Sequence, residues 1–126
     1  MNFKFRYWDP FNGCMTYSDD FKNLAKFFKD YQLFVDGDKK PILEQSTGFC
    51  DENEKEIYEG DVWDFDYCLI PKIVKYDSVE GCYVLIDIVR NDISDNLAVY
   101  KNQDKIVGKI IGNIHENPEL LKVKGE

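Results

Sequence analysis

The sequence predicts a mainly β fold: small, coiled antiparallel sheets or a barrel, one amphipathic helix over about residues 19–29, and a helical turn near the C-terminal end. Three observations lead there. Short segments with apolar residues at alternate positions recur along the chain, the period of a half-buried strand. Clusters of turn formers separate them at roughly eight to twelve residues, the spacing of compact all-β domains. Only one clear stretch has helical period, so strands and helices do not alternate and a doubly wound α/β fold is excluded.

Taken in order, Phe3, Phe5 and Tyr7 alternate with Lys4 and Arg6, which predicts a strand with its rings inward and its cations in water. Asp9-Pro10-Phe11-Asn12-Gly13 should reverse the chain into a second strand over 14–17, closing a hairpin. Ser18 can cap a helix, and Asp19 and Asp20 would suit the positive end of its dipole. Phe21, Leu24, Ala25 and Phe28 then follow the i, i+3, i+4, i+7 rule, opposite Lys22, Lys26 and Lys29. This helix is expected to lay its aromatic stripe on the hairpin.

Residues 31–35 and 42–45 are expected as short strands and 46–56 as a polar surface loop with a tight turn at 51–55. Long strands follow over 62–67 and 69–76, where Pro71 requires an edge position or a bulge. A buried strand over 82–89, a loop over 90–96, an ambiguous 97–100 and a final strand over 106–114, interrupted by Gly108 and Gly112, complete the sheets. Asn117 as N-cap and Pro118 at the first helical position predict the closing turn over 118–122. A single domain over 1–126 is expected, with a hairpin-plus-helix part over 1–45 and a barrel-like part over 46–122.

At 44% hydrophobic and 15% aromatic residues, the chain has the material for a normal core and is too apolar to be disordered. No apolar run is long enough to span a bilayer, and Met1 to Pro10 lack the apolar middle of a secretory signal, so a cytoplasmic location is expected. Cys14, Cys50, Cys68 and Cys82 show no metal-finger spacing and are expected as reduced thiols.

The charge is concentrated. From Asp36 to Asp66 there are eleven acids against three lysines, which equals the net charge of −8 of the whole chain. Such a segment is either a solvated face or a docking surface for a basic partner, with Asp51, Glu52, Glu54, Glu56 and Glu59 the candidate binding residues. Direct nucleic-acid binding is not expected, since it needs a basic patch.

The most enzyme-like stretch is Val62-Trp63-Asp64-Phe65-Asp66-Tyr67. Asp64 and Asp66 share a strand face and lie roughly 7 Å apart at the strand rise, a separation that could bracket a hydrated Mg²⁺. Alternation alone accounts for the pattern: Trp63, Phe65 and Tyr67 inward, the carboxylates in water. The lone histidine, His115, has no nucleophile or orienting carboxylate in sequence reach, and no nucleophile elbow, zincin or P-loop motif is present. Neither catalytic residues nor a cofactor are expected; Asp64 and Asp66 stand as the metal-assisted alternative.

Three blocks carry a resemblance: Phe5-Arg6-Tyr7-Trp8-Asp9; Thr47-Gly48-Phe49-Cys50-Asp51-Glu52-Asn53-Glu54-Lys55-Glu56-Ile57-Tyr58-Glu59-Gly60-Asp61-Val62; and Ile111-Gly112-Asn113-Ile114-His115-Glu116-Asn117-Pro118-Glu119-Leu120-Leu121. In this order they resemble the YopX-type proteins of phages and prophages of Gram-positive bacteria. Phe49 stands where the family pattern has leucine, and Glu54 where it has a turn glycine. The resemblance implies an all-β fold of coiled sheets, an accessory phage role of unestablished function, and no catalytic residue. The expected function is a non-enzymatic module that binds another protein, a host protein among the candidates, or assembles with itself through surface aromatics. An acidic mimic of DNA, blocking a nucleic-acid-binding host protein, is a further alternative.

Overall fold

The computed structural model describes residues 3–35, 40–66 and 69–121. The fold is mainly β, and its chain divides into two compact units, Met1–Ser46 and Thr47–Glu126.

In the first unit, β1 (Phe5–Asp9) and β2 (Cys14–Tyr17) form the expected antiparallel hairpin. The other side of β1 pairs with the first half of β3 (Ile42–Asp51), placing Tyr7 beside Leu43 and Thr16. Asp9 builds the turn: its Oδ1 accepts the Phe11 amide at 2.9 Å, and its Oδ2 the Asn12 side chain at 2.7 Å. The helix differs from expectation. Ser18 does not cap it, because its hydroxyl accepts the Phe5 amide at 3.0 Å and residues Ser18–Asp20 form a 3-10 turn. The helix α1 spans Leu24–Val35, and Asn23 caps it by accepting the Lys26 amide. The residues expected as a strand over 31–35 are its last turns.

The aromatic stripe keeps its period and moves one turn on, to Leu24, Phe27, Phe28 and Tyr31, with Phe27 fully buried and Ala25 exposed. Tyr7 meets it, 5.7 Å from the Phe27 ring and 5.6 Å from the Tyr31 ring, and its hydroxyl donates to Asp30. Arg6, expected in water, is buried: its guanidinium donates to Glu44, its register partner on β3, at 2.9 Å. Alternation tells the two faces of a strand apart; it does not reveal that both are covered.

The second unit contains the last part of β3, then β4 (Glu56–Tyr58), β5 (Asp61–Asp64), β6 (Lys72–Asp77), β7 (Cys82–Asp87), β8 (Asp92–Asn96), β9 (Lys101–Asn102), β10 (Lys105–Ile106) and β11 (Lys109–Asn113). Its main sheet is antiparallel and open, in the order β11-β5-β6-β7-β8. A smaller ladder sets β10 parallel to β3 and antiparallel to β9. Trp63, Val74, Leu85, Leu97, Ile106 and Ile110 make the core together with Ile57.

Several expectations change here. Residues 46–51 are strand, so only the turn after Asp51 remains of the expected loop. Residues 92–96, too polar to read as strand, form the edge strand β8. The final strand divides into β10 and β11, because Gly108 at φ +94° interrupts it. Pro71 lies just before the first residue of interior strand β6, where its missing N–H breaks no ladder bond. Asn117 and Pro118 occupy the expected N-cap and first positions, but the turn is a short 3-10 one, Pro118–Leu120, and the Asn117 side chain accepts the Asn113 amide at 3.2 Å in place of a cap bond. Tyr67 and Cys68 lie outside the described residues, and Cys14, Cys50 and Cys82 are free thiols.

Candidate functional site

The acidic segment folds around one buried carboxylate. Asp51 is 1% exposed. Its Oδ1 accepts the amides of Asn53 and Lys55, both at 2.9 Å, which closes the 51–55 turn. Its Oδ2 accepts the amide of Ile110 at 2.8 Å, which ties the turn to β11. An aspartate fits because a carboxylate offers two acceptor oxygens and no donor, and charge strengthens each bond. Asp51 was a candidate for partner binding; burial removes it from the surface. Asp61 is likewise buried, accepting the Tyr58 amide at 2.8 Å.

The remaining candidates reach the surface. Glu52 is exposed, and its Oε2 accepts the Gly108 amide at 3.2 Å while its own amide donates to the Gly108 carbonyl. Glu54 is exposed and lies 3.1 Å from the Lys105 ammonium, itself half in water, so the pair contributes little. Glu56 and Glu59 are half-buried. Burial foremost, and then the charge of Glu59, pushes the Tyr83 hydroxyl above its ordinary pKa. Glu52 also borders an open cleft of about 370 Å³, whose other wall is the loop through Asn102, Gln103, Asp104 and Lys105. No local pattern marks this wall, because β10 reaches β3 by a parallel pairing some fifty residues apart in the chain.

Trp63 is fully buried, stacked on half-buried Phe65 with ring centroids 5.8 Å apart, and its indole donates to the Val107 carbonyl at 2.9 Å. Asp64 is half-buried and in register with Lys109 of β11; Asp66 is exposed. The structure thus places the two acids in unlike surroundings. Among the described residues, no group of three or more His, Cys, Asp or Glu side chains is arranged to hold a metal. His115 sits in a turn held by Asn113, whose Oδ1 accepts the amides of His115 and Glu116 at 3.0 and 2.9 Å.

The blocks noted in the sequence therefore consist of scaffold bonds. Thr47 Oγ1 donates to the Ile57 carbonyl at 2.8 Å, Asp51 and Asp61 hold turns, and Asn113 and Asn117 knot the chain after β11. The family model of the YopX protein matches residues 4–122. The chain belongs to the YopX family. A solved structure titled "Crystal structure of protein EF1440 from Enterococcus faecalis" is similar in fold, with a TM-score of 0.56 and 20% identity over 97% of this chain and 99% of that one. No curated protein matches. In this YopX-family chain, the first family-like block is strand β1 of the first unit, and the other two contain the turns that hold the second unit's strands together. Among the described residues, no helix is long and apolar enough to cross a membrane.

Proposed function

We propose that this YopX-family chain is a non-enzymatic accessory protein of a phage or prophage, acting in the bacterial cytoplasm by binding a protein with a basic surface, a host protein among the candidates. One observation carries the reading: the whole charge of −8 resides in the second unit, where Glu52 and Glu54 stand exposed on a turn whose inner acid, Asp51, is committed to the fold. A rigid turn presenting carboxylates attracts a basic partner at long range and holds its register at short range.

The test is a pull-down from host lysate with the full chain and with Glu52, Glu54 and Glu59 all changed to Ser. Partners that are basic, that wash off as salt rises, and that are lost with the triple variant support the reading. An unchanged set of partners with a normally folded variant would reduce the acids to solvated surface. A thermal-shift series with Mg²⁺, Mn²⁺ and Zn²⁺ covers the metal-assisted alternative: a shift that disappears in Asp64→Asn would revive it.

A further inference from the structure

The turn that joins β1 to β2 contains the chain's one Asn-Gly step, Asn12-Gly13. An asparagine before glycine carries its own reactant. The glycine amide nitrogen can attack the asparagine side-chain carbonyl, because the glycine has no side chain to stand in the way. The structure gives this step access to solvent. Asn12 and Gly13 are both exposed, and a Cβ built on Gly13 would meet nothing beyond its chain neighbours within 4 Å. Water and hydroxide therefore reach the turn.

The same turn restrains both reactants. The Gly13 amide donates to the Asp9 carbonyl at 2.8 Å, so the nitrogen keeps the proton it must lose before attack. The Asn12 side-chain amide donates to Asp9 Oδ2 at 2.7 Å, and the Asn12 backbone amide donates to Oδ1 at 3.2 Å. Asp9 itself is 2% exposed. One buried residue thus holds the nucleophile through its carbonyl and the leaving group through its carboxylate. Reaction has to wait for a local opening that breaks these bonds.

We propose that Asn12 is a site of spontaneous deamidation that Asp9 holds in check. When the turn opens, the Gly13 nitrogen gives its proton to hydroxide and forms a bond to Asn12 Cγ. The Cγ–Nδ2 bond breaks, and ammonia leaves with a proton from water, restoring the hydroxide. Water then opens either carbonyl of the resulting succinimide, leaving aspartate or isoaspartate; nothing is oxidised or reduced. Neither product fits the native turn. Aspartate puts an oxygen where Nδ2 donated, 2.7 Å from an Asp9 oxygen, and two carboxylates with no donor between them repel. Isoaspartate adds a methylene to the backbone of a tight turn. Either product gives a net negative charge to the first unit, whose seven acids and seven bases otherwise balance. The hairpin is therefore a one-way switch with Asp9 as its restraint.

The test holds the full chain at mildly alkaline pH, in buffer and in urea, and follows Asn12 by peptide mass mapping, with isoaspartate measured by enzymatic methyl transfer. The folded chain should react about tenfold or more slowly than the chain in urea, the scale of two hydrogen bonds that must break first. Asp9→Ala should remove most of that gap. Asp9→Asn, which keeps one acceptor oxygen, should remove part of it and carries the comparison if Asp9→Ala does not fold. Tyr7→Phe is the control: it removes the bond to Asp30 in the same unit and leaves the turn bonds intact, so its rate should match that of the natural chain. Isoaspartate among the products identifies the succinimide, since direct hydrolysis gives aspartate alone. Asn12→Asp should unfold at a lower urea concentration than Asn12→Ser. Equal rates in buffer and urea, Asp9 variants no faster than Tyr7→Phe, products without isoaspartate, or an Asn12→Asp chain as stable as Asn12→Ser would each overturn the proposal.

Discussion

The carboxylate of Asp51 accepts the backbone amide of Ile110, 59 residues further along, at 2.8 Å. The same side chain closes its own turn through Asn53 and Lys55. One buried group therefore joins a local turn to an edge strand. Each feature depends on the other: the turn aims the second oxygen, and the strand gives it a donor.

Asp51→Ala should be among the most damaging substitutions in the chain. It leaves the buried Ile110 amide without its acceptor, at about 1–3 kcal/mol for a buried unsatisfied donor, and opens the 51–55 turn by removing the acceptor of the part-buried Asn53 and Lys55 amides. A loss of roughly 3 kcal/mol or more is expected in urea unfolding, with Asp51→Asn intermediate because its amide oxygen still accepts. A loss below about 1 kcal/mol would show the carboxylate to be dispensable.

Glu54 occupies the left-handed region at φ +67°, at the position where the family pattern has glycine. Holding a side chain there costs about 1–2 kcal/mol, and glycine removes that cost while loosening the unfolded chain. The exposed contact with Lys105 offsets little of it. Glu54→Gly should therefore raise stability by about 0.5–1 kcal/mol, while Glu54→Ala should not. Lower stability for the glycine variant in thermal unfolding would contradict this.

Gly108 touches the core. A Cβ on it would lie 2.5 Å from Nε1 and 2.7 Å from Cε2 of Trp63, and its φ is +94°. Gly48 has a similar φ of +84° with open space around it. Comparing Gly108→Ala with Gly48→Ala separates steric overlap from backbone strain. The first should cost at least about 2 kcal/mol more than the second, because the buried indole has no room to withdraw. The fluorescence of Trp63 should shift only in the first; equal losses would assign the whole effect to φ.

The Tyr7 hydroxyl is pushed up to about 12, foremost by burial and then by its hydrogen bond to Asp30. In the unfolded chain it titrates near its ordinary value of 10.0. Between these values the unfolded state has released a proton that the folded state retains, so stability falls as pH rises. The contribution is fully present below pH 10 and lost on the way to 12. Tyr7→Phe should be less stable than the natural chain at neutral pH by about 1 kcal/mol, the worth of the hydrogen bond. The difference should shrink or reverse above pH 10 in paired denaturation curves; a gap that stays constant to pH 12 would disprove the linkage.

Much of this protein was legible in its residues. The hairpin at Asp9–Gly13 and the turn after Asp51 depend on side chains that bond to amides two to four positions away, so local sequence suffices to place them. The burial of Trp63 followed from period-two alternation in the same way. The start of α1 was displaced because Ser18 and Asn23 are both competent caps, and what decided between them was the Phe5 amide, thirteen residues back, taking the Ser18 hydroxyl. β8 escaped notice because Asp92, Ser94, Asp95 and Asn96 favour loops until Val84–Asp87 lie beside them as a template.

By itself, then, the chain determined which stretches turn, which side chains seek the interior and where its negative charge gathers, since these depend on neighbours a few residues apart. Only tertiary structure decided which acids stay wet. Asp51 and Glu52 are adjacent in sequence and alike in charge, yet one is buried against β11, where it accepts the amide of Ile110, and the other is exposed. Burial is settled by the strands that arrive from elsewhere in the chain, and no local pattern encodes their arrival.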